Sequence, residues 1–181
     1  WNNLHIEYRQ VGPEYFSLGN PYLTKNIREF FVQDRLSLLE RKLFISASFK
    51  YQDNKILSSV NNPLSTKTFS TGVNVMPGPG LPSISVNLQS IGKNNFQELQ
   101  RIENSNIEDT REKSKMINTV SSIVFPFALK GYKQSLIINF NSVNNFDLLS
   151  NKRSTSYFFN KADSKGYSVN LSTHFSSKFK T

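Results

Sequence analysis

Ser83-Ile84-Ser85-Val86-Asn87-Leu88-Gln89 alternates polar and apolar residues without a break. Successive side chains of a strand point to opposite faces. The stretch therefore puts Ile84, Val86 and Leu88 on one side and Ser83, Ser85, Asn87 and Gln89 on the other. The same two-residue period recurs along the chain. Residues 42–52 set Leu43, Ile45, Ala47, Phe49 and Tyr51 against Phe44, Ser46, Ser48, Lys50 and Gln52. Residues 134–141 set Leu136, Ile138 and Phe140 against Ser135, Ile137, Asn139 and Asn141, and residues 167–175 set Tyr167, Val169, Leu171, Thr173 and Phe175 against Ser168, Asn170, Ser172 and His174. Residues 67–76 and 116–127 carry the period less cleanly. Residues 4–9 offer a short first strand. Over 27–39 a strand places Asp34 on its apolar side, and Ile27, Phe30, Phe31, Leu38 and Leu39 also recur at helical spacing. On the pattern alone, both readings stand.

The chain has 181 residues, 37% of them apolar and 19% charged, with 15 Phe and 7 Tyr. This length suits one domain. The aromatic content argues against disorder, which is aromatic-poor. Cysteine is absent, which removes disulfide frameworks, thiolate metal sites and thiol catalysis. No apolar run is long enough for a transmembrane helix. The formal net charge of +9 permits anionic partners without selecting one.

The connections are sorted by length. Residues 40–42, the Pro77-Gly78-Pro79-Gly80-Leu81-Pro82 turn and residues 129–133 are short. Residues 53–66, 92–114 and 143–166 are long and polar. In an up-and-down meander, that order places every short turn at one end and every long link at the other, as outer-membrane barrels do. Within the long links, residues 96–103 suit a short helix and residues 154–160 an extra strand.

The wet faces carry Ser, Asn, Thr and Gln where a soluble sheet would carry Lys and Glu. Such residues suit confined water in a barrel interior, with an apolar band and aromatic girdles outside. Phe44, Phe127, Tyr132, Phe175 and Phe179 fall near the short-turn side, and Phe49, Tyr51 and Tyr167 toward the long links. Backbone groups in hydrocarbon must all be paired, so such a sheet has to close on itself or continue into further strands. The expected architecture is all-β: an antiparallel up-and-down transmembrane β-barrel of about eight strands, part of a larger barrel. Residues 1–181 form one domain, with an aromatic loop and edge strand over 1–26 and a meander of hairpins over 27–181. Strand parity nominates Arg35, Lys50, Asn74, Asn87, Asn139, Asn141 and Asn170 as lumen-lining residues. Arg35 and Lys50 would favour anions in an open pore. A plugged barrel would use the same groups for internal hydrogen bonds. The aromatic segment 12–23 is suited to folding over or into the barrel.

Val11-Gly12-Pro13-Glu14-Tyr15-Phe16-Ser17-Leu18-Gly19-Asn20-Pro21-Tyr22-Leu23, followed by Ile27-Arg28-Glu29-Phe30 and Tyr51-Gln52-Asp53-Asn54, resembles the C-terminal part of large uncharacterised outer-membrane β-barrel proteins of Gram-negative bacteria. Met76-Pro77-Gly78-Pro79-Gly80-Leu81-Pro82 and Ser172-Thr173-His174-Phe175-Ser176-Ser177 carry the same resemblance. It implies that 27–39 is a strand and that sequence precedes Trp1. It brings no catalytic or ligand residues. Tyr167-x-Val169-x-Leu171-x-Thr173-x-Phe175 looks like the terminal strand read by the barrel-assembly machinery, although the chain continues past Phe175.

The remaining candidates for chemistry are sparse. His5 and His174 are the only histidines and sit in no metal-binding spacing. Asp53-Asn54 and Asp147 lie outside any calcium-loop pattern and suit loop capping. Gly78-x-Gly80 lacks the Gly-Lys-Ser/Thr of a phosphate loop. Asn170-Leu171-Ser172 is a glycosylation triplet inside a strand. Neither a cofactor nor an enzymatic role is expected. Lys152, Arg153, Lys161, Lys165, Lys178 and Lys180 concentrate positive charge near the C-terminus, either as solvated loop or against lipopolysaccharide phosphates. The expected partners are outer-membrane lipid, lipopolysaccharide and the assembly machinery, not nucleic acid, because the aromatics share faces with Leu, Ile and Val. The resulting expectation is a structural or passive-transport (porin-like) barrel in the bacterial outer membrane. The competing reading is a soluble basic β-sheet module, either lipocalin-like or nucleic-acid binding.

Overall fold

The computed structural model describes residues 1–14, 26–54, 64–95, 112–129, 132–149 and 161–174. These contain eight strands and no helix: β1 (Asn2–Val11), β2 (Ile27–Leu38), β3 (Leu43–Asp53), β4 (Ser65–Val75), β5 (Ser83–Asn94), β6 (Lys113–Leu129), β7 (Tyr132–Asp147) and β8 (Lys161–His174). All pair antiparallel in one sheet whose spatial order is the sequence order. Each hairpin therefore returns the chain to the same end. The connections 39–42, 76–82 and 130–131 share one end of the sheet, and 12–26, 54–64, 95–112 and 148–160 share the other.

The ambiguous segment 27–39 is a strand. Its ten cross-strand partners on β1 and eleven on β3 outweigh the helical spacing of Phe30, Phe31, Leu38 and Leu39. The last three strands run longer than alternation suggests, β7 continuing to Asp147 and β8 beginning at Lys161. Over Asn144↔Asp163 and Ser142↔Lys165 both partners are polar. Backbone pairing continues there although the apolar period has ended, because ladder hydrogen bonds do not depend on side-chain hydropathy. The helix suggested for 96–103 and the strand suggested for 154–160 lie outside the described residues.

Local chemistry sets the turns. Gly78 and Gly80 adopt positive φ (140° and 77°), and Leu81 N–H donates to Gly78 O at 3.3 Å. At the β2–β3 turn Leu39, Glu40 and Arg41 all have left-handed φ (51°, 55°, 68°), a conformation that costs a residue with a Cβ about 1 kcal/mol or more. Pro126 in β6 pairs with Ser135 on β7, beyond the point where β5 ends opposite Val124. A missing N–H is tolerated at such a one-sided position.

Register separates the two faces. One cross-strand row reads Leu38, Leu43, Val75, Ile84, Ile123, Ile138 and Val169. The next row, on the opposite face, reads Phe44, Asn74, Ser85, Ser122, Asn139 and Ser168. A shift of one residue exchanges apolar for polar across the sheet. Phe44 thus lies on the polar face, away from the aromatics with which the sequence groups it.

The sheet is open. β1 pairs only with β2 and β8 only with β7. Among the described residues no second layer covers either face. Only Val11, Ile27 and Leu149 form a buried apolar set, while Phe69, Val73, Ile84, Val86 and Ile138 are exposed by 39–47%. The polar face is the sheltered one in the middle of the sheet: Ser46, Ser48, Ser70, Asn74 and Gln89 are half-buried. Sheltered polar rows opposite exposed apolar rows mean that the sheet curls with its polar face inward.

Candidate functional site

The seven residues nominated by parity, Arg35, Lys50, Asn74, Asn87, Asn139, Asn141 and Asn170, all fall on the polar face. They do not converge on one point. Arg35, Asn87 and Asn141 share a row through Ser46, Gly72 and Val120, and Asn74 and Asn139 share the next. Lys50 and Asn170 stand in rows further toward opposite ends.

An open depression of about 260 Å³ lies on this face. Two adjacent rows build it. Gln33, Ser48, Ser70, Gln89 and Asn118 form one, and Ser46, Gly72 and Asn87 form the other. Gln89 Nε2 donates to Ser70 Oγ at 3.4 Å, and Asn87 Nδ2 to Ser85 Oγ at 3.2 Å. Gly72 makes the floor. A Cβ there would stand 2.5 Å from Asn87 Oδ1 and 3.0 Å from Ser46 Oγ, so any larger residue would displace Asn87. Asn118 Oδ1 is buried without a protein hydrogen-bond partner. An unpaired buried amide oxygen is costly unless water or solute donates to it. Of the seven nominated residues, only Asn87 lines the depression. Gln33, Gln89 and Asn118 were not nominated. Asn118 lies where alternation is weak, and only its register with Gln89 reveals its face.

Charge on the polar face is more balanced than parity alone suggests. Glu29, buried in β2, accepts from Lys50 Nζ at 2.8 Å and Arg9 Nη2 at 3.2 Å. The ion triad ties β1, β2 and β3 together. Lys50 is therefore partnered, and Arg35 is the exposed cation among the seven. Further along, Asn139 Nδ2 donates to Ser168 Oγ at 3.1 Å, joining β7 to β8. Asn74, Asn141 and Asn170 have no such contact between described side chains.

The apolar face carries a band with definable borders. On β3 it runs over nine residues, from Leu43 to Tyr51. On β7 it also spans nine, from Tyr132 to Phe140, with Gln134 as the exception. Yet Leu43 shares its row with Ile138, and Tyr51 shares its row with Phe146. Both borders have thus slid six residues along β7. Six residues amount to about 20 Å, and four strand spacings to about 19 Å. Between β3 and β7 the band is therefore offset at about 45° to the strands, and it is equally wide on both. Asp34 interrupts the band on β2 between Leu4 and Ala47, and its Oδ1 is buried without a hydrogen-bond partner.

At the long-link end, above the band, Arg28 grips Asp53 Oδ2 through Nε and Nη2 at 3.2 and 3.0 Å. Asn54 Oδ1 accepts from Leu64 N–H at 2.6 Å, and Asp147 Oδ1 from Leu149 N–H at 2.9 Å. The Asn54 and Asp147 contacts cap loops, as the sequence suggests, whereas Asp53 makes a cross-strand ion pair. His5 sits 3.4 Å from Glu7 and lies beside Phe31 on the polar face, the two rings tilted at 58°. No group of three or more potential metal ligands occurs among the described residues. Compared with known proteins, the chain matches no protein-family model, no curated protein and no solved structure.

Proposed function

We propose that this chain is part of an outer-membrane β-barrel with a structural or passive-transport role, its apolar band facing lipid and its polar face turned toward water inside the barrel. One observation carries the reading: the nine-residue apolar runs of β3 and β7 are offset by six residues over four strands, a slope of about 45° to the strands. A slab of hydrocarbon imposes this pattern on tilted strands, which need about 9–11 residues each to cross it. Nine residues at that slope span about 22 Å, close to the apolar band of about 25 Å typical of such barrels. A soluble single-layer sheet has no comparable reason to keep its exposed side the apolar one. The sorted connections support the same orientation, with short periplasmic turns and long external links.

In this reading the open edges of β1 and β8 join further strands, because hydrocarbon excludes unpaired backbone groups. The resemblance of residues 11–23, 27–30, 51–54, 76–82 and 172–177 to the C-terminal part of larger barrels points the same way. The polar network supplies the interior: Asn and Gln side chains bonded to Ser across strands, an ion triad with one positive charge in excess, and the Arg35 cation. The barrel-assembly machinery is the partner required for insertion.

The test is physical. The protein should partition into detergent, migrate faster on gels before boiling than after, and enter lipid vesicles with a β-rich circular dichroism spectrum. A monomer that remains in solution without detergent would overturn the reading. Conductance in planar bilayers separates an open pore from a plugged one.

A further inference from the structure

The apolar face holds a groove of about 350 Å³ just above the band, over β4, β5 and β6. Its floor comes from two small residues on β5, Ser90 and Gly92. In the lower row Ser90 pairs with Phe69, which pairs with Phe49, so the notch opens beside two exposed rings. In the upper row Gly92 stands between Lys67 and Lys115. Lys113 follows one step higher on the same face, opposite Asn94. The nearest heavy atom to a Cβ at Gly92 would be Lys67 O, 4.0 Å away, so the gap between the two lysine stems is open. Their strands are about 9.6 Å apart, a separation that two flexible four-carbon stems bridge easily.

No ion pair engages Lys67, Lys113 or Lys115 among the described residues; Lys67 Nζ instead stands 5.9 Å over the Tyr51 ring. The neighbouring acids are occupied. Asp53 is held by Arg28, and Glu112 accepts from Ser114 Oγ. The groove thus joins an apolar notch below to three unneutralised ammonium groups above. Lysines in this position extend along apolar surface and present their charge at the headgroup level.

We propose that this groove binds one phosphorylated lipid of the outer leaflet, with the phosphate between Lys67 and Lys115 over Gly92 and an acyl chain in the Ser90 notch beside Phe49 and Phe69. This rests on the membrane reading given above and adds the site and the ligand chemistry. Both halves of the groove are needed. The cations select phosphate, and the notch selects an amphiphile over a free anion.

The test uses the intact protein in zwitterionic detergent micelles, titrated with diphosphorylated lipid A and followed by native mass spectrometry. One lipid should bind. Lys67→Gln with Lys115→Gln should weaken binding at least about tenfold, and Lys67→Arg with Lys115→Arg should retain it. Lys133→Gln, on the polar face at the short-turn end, should leave it unchanged. Ser90→Leu keeps every lysine but fills the notch and should also weaken binding. Dephosphorylated lipid A should not bind, and millimolar inorganic phosphate should not compete. Equal affinity of the double Gln variant and the parent overturns the site. Displacement by inorganic phosphate also overturns the lipid assignment, leaving a free-anion site. Gel mobility before and after boiling, measured on every variant, separates a misfolded variant from a folded one that has lost the lipid. If the parent partitions into detergent and binds no lipid, the groove assignment fails and the membrane reading stands. If the parent does not partition, the membrane reading itself fails.

Discussion

Val86 and Asn87 are chain neighbours on β5, both exposed, on opposite faces of the same sheet. Their surroundings differ in kind. Val86 lies among Val73, Ile84 and Leu88, with Ser121 as its partner on β6. Asn87 lies over Gly72 and donates to Ser85. Exposure alone therefore does not say what each residue is exposed to. In the proposed membrane reading, the exposed apolar band, offset between β3 and β7, meets hydrocarbon, and the sheltered polar face with its cross-strand amide–hydroxyl bonds meets confined water. The two faces differ in chemistry and not in the degree of burial of these two residues, and the proposed reading assigns that difference to the medium each face meets.

The largest effect expected of that difference comes from inserting a charge. Arg at Val86 or Ile138 should cost about 2–4 kcal/mol, because both lie near the middle of the band. Arg at Asn87 or Asn139 should cost less than about 1 kcal/mol. Urea titration of folding into phosphatidylcholine vesicles measures all four. Equal losses on both faces would erase the distinction between them.

Next comes the polar face itself. Glu29→Gln leaves Arg9 and Lys50 without their shared carboxylate and should destabilise by about 1–3 kcal/mol. A double-mutant cycle with Lys50→Met checks that the loss belongs to the triad. If the two single losses simply add, the triad contributes no coupling.

Asp34 sharpens the comparison from the other side. It is the acid within the apolar band of β2, between Leu4 and Ala47. Asp34→Leu should stabilise the vesicle-folded protein by on the order of 1 kcal/mol, since it removes an unpartnered carboxylate from the apolar face, which the proposed reading turns toward lipid. A loss of stability would mean that this part of β2 is covered by polar protein and not by lipid. The smallest effect belongs to the turns, which lie outside the band and should be blind to face. Gly80→Ala forces a Cβ into positive φ and should cost about 1 kcal/mol in vesicles and detergent alike, as equilibrium unfolding in each would report.

Much of this was legible in the residues. Alternation over 83–89 assigned each side chain to a face, and the turn chemistry of Pro77–Pro82 placed a hairpin, because both depend on near neighbours only. The parity list put Arg35, Lys50, Asn74, Asn87, Asn139, Asn141 and Asn170 on one side before any register was known. What it missed had a common cause. Lys50 bonds to Glu29 on another strand, Asn118 joins the depression through Gln89, and Gly92 separates Lys67 from Lys115, all of them relations across strands.

The sequence by itself determined most of the strands, their wet and dry sides and the sorting of short and long connections, since a two-residue period and a turn are local properties of the chain. The tertiary structure decided the register, and with it the slope of the apolar band, the Arg9–Glu29–Lys50 triad, the polar depression and the lysine-flanked groove. The reason is physical. Alternation says which side of a ribbon a residue occupies, but its height against the next ribbon is set by backbone hydrogen bonds between segments distant in the chain, and a slip of two residues keeps every face while changing every neighbour.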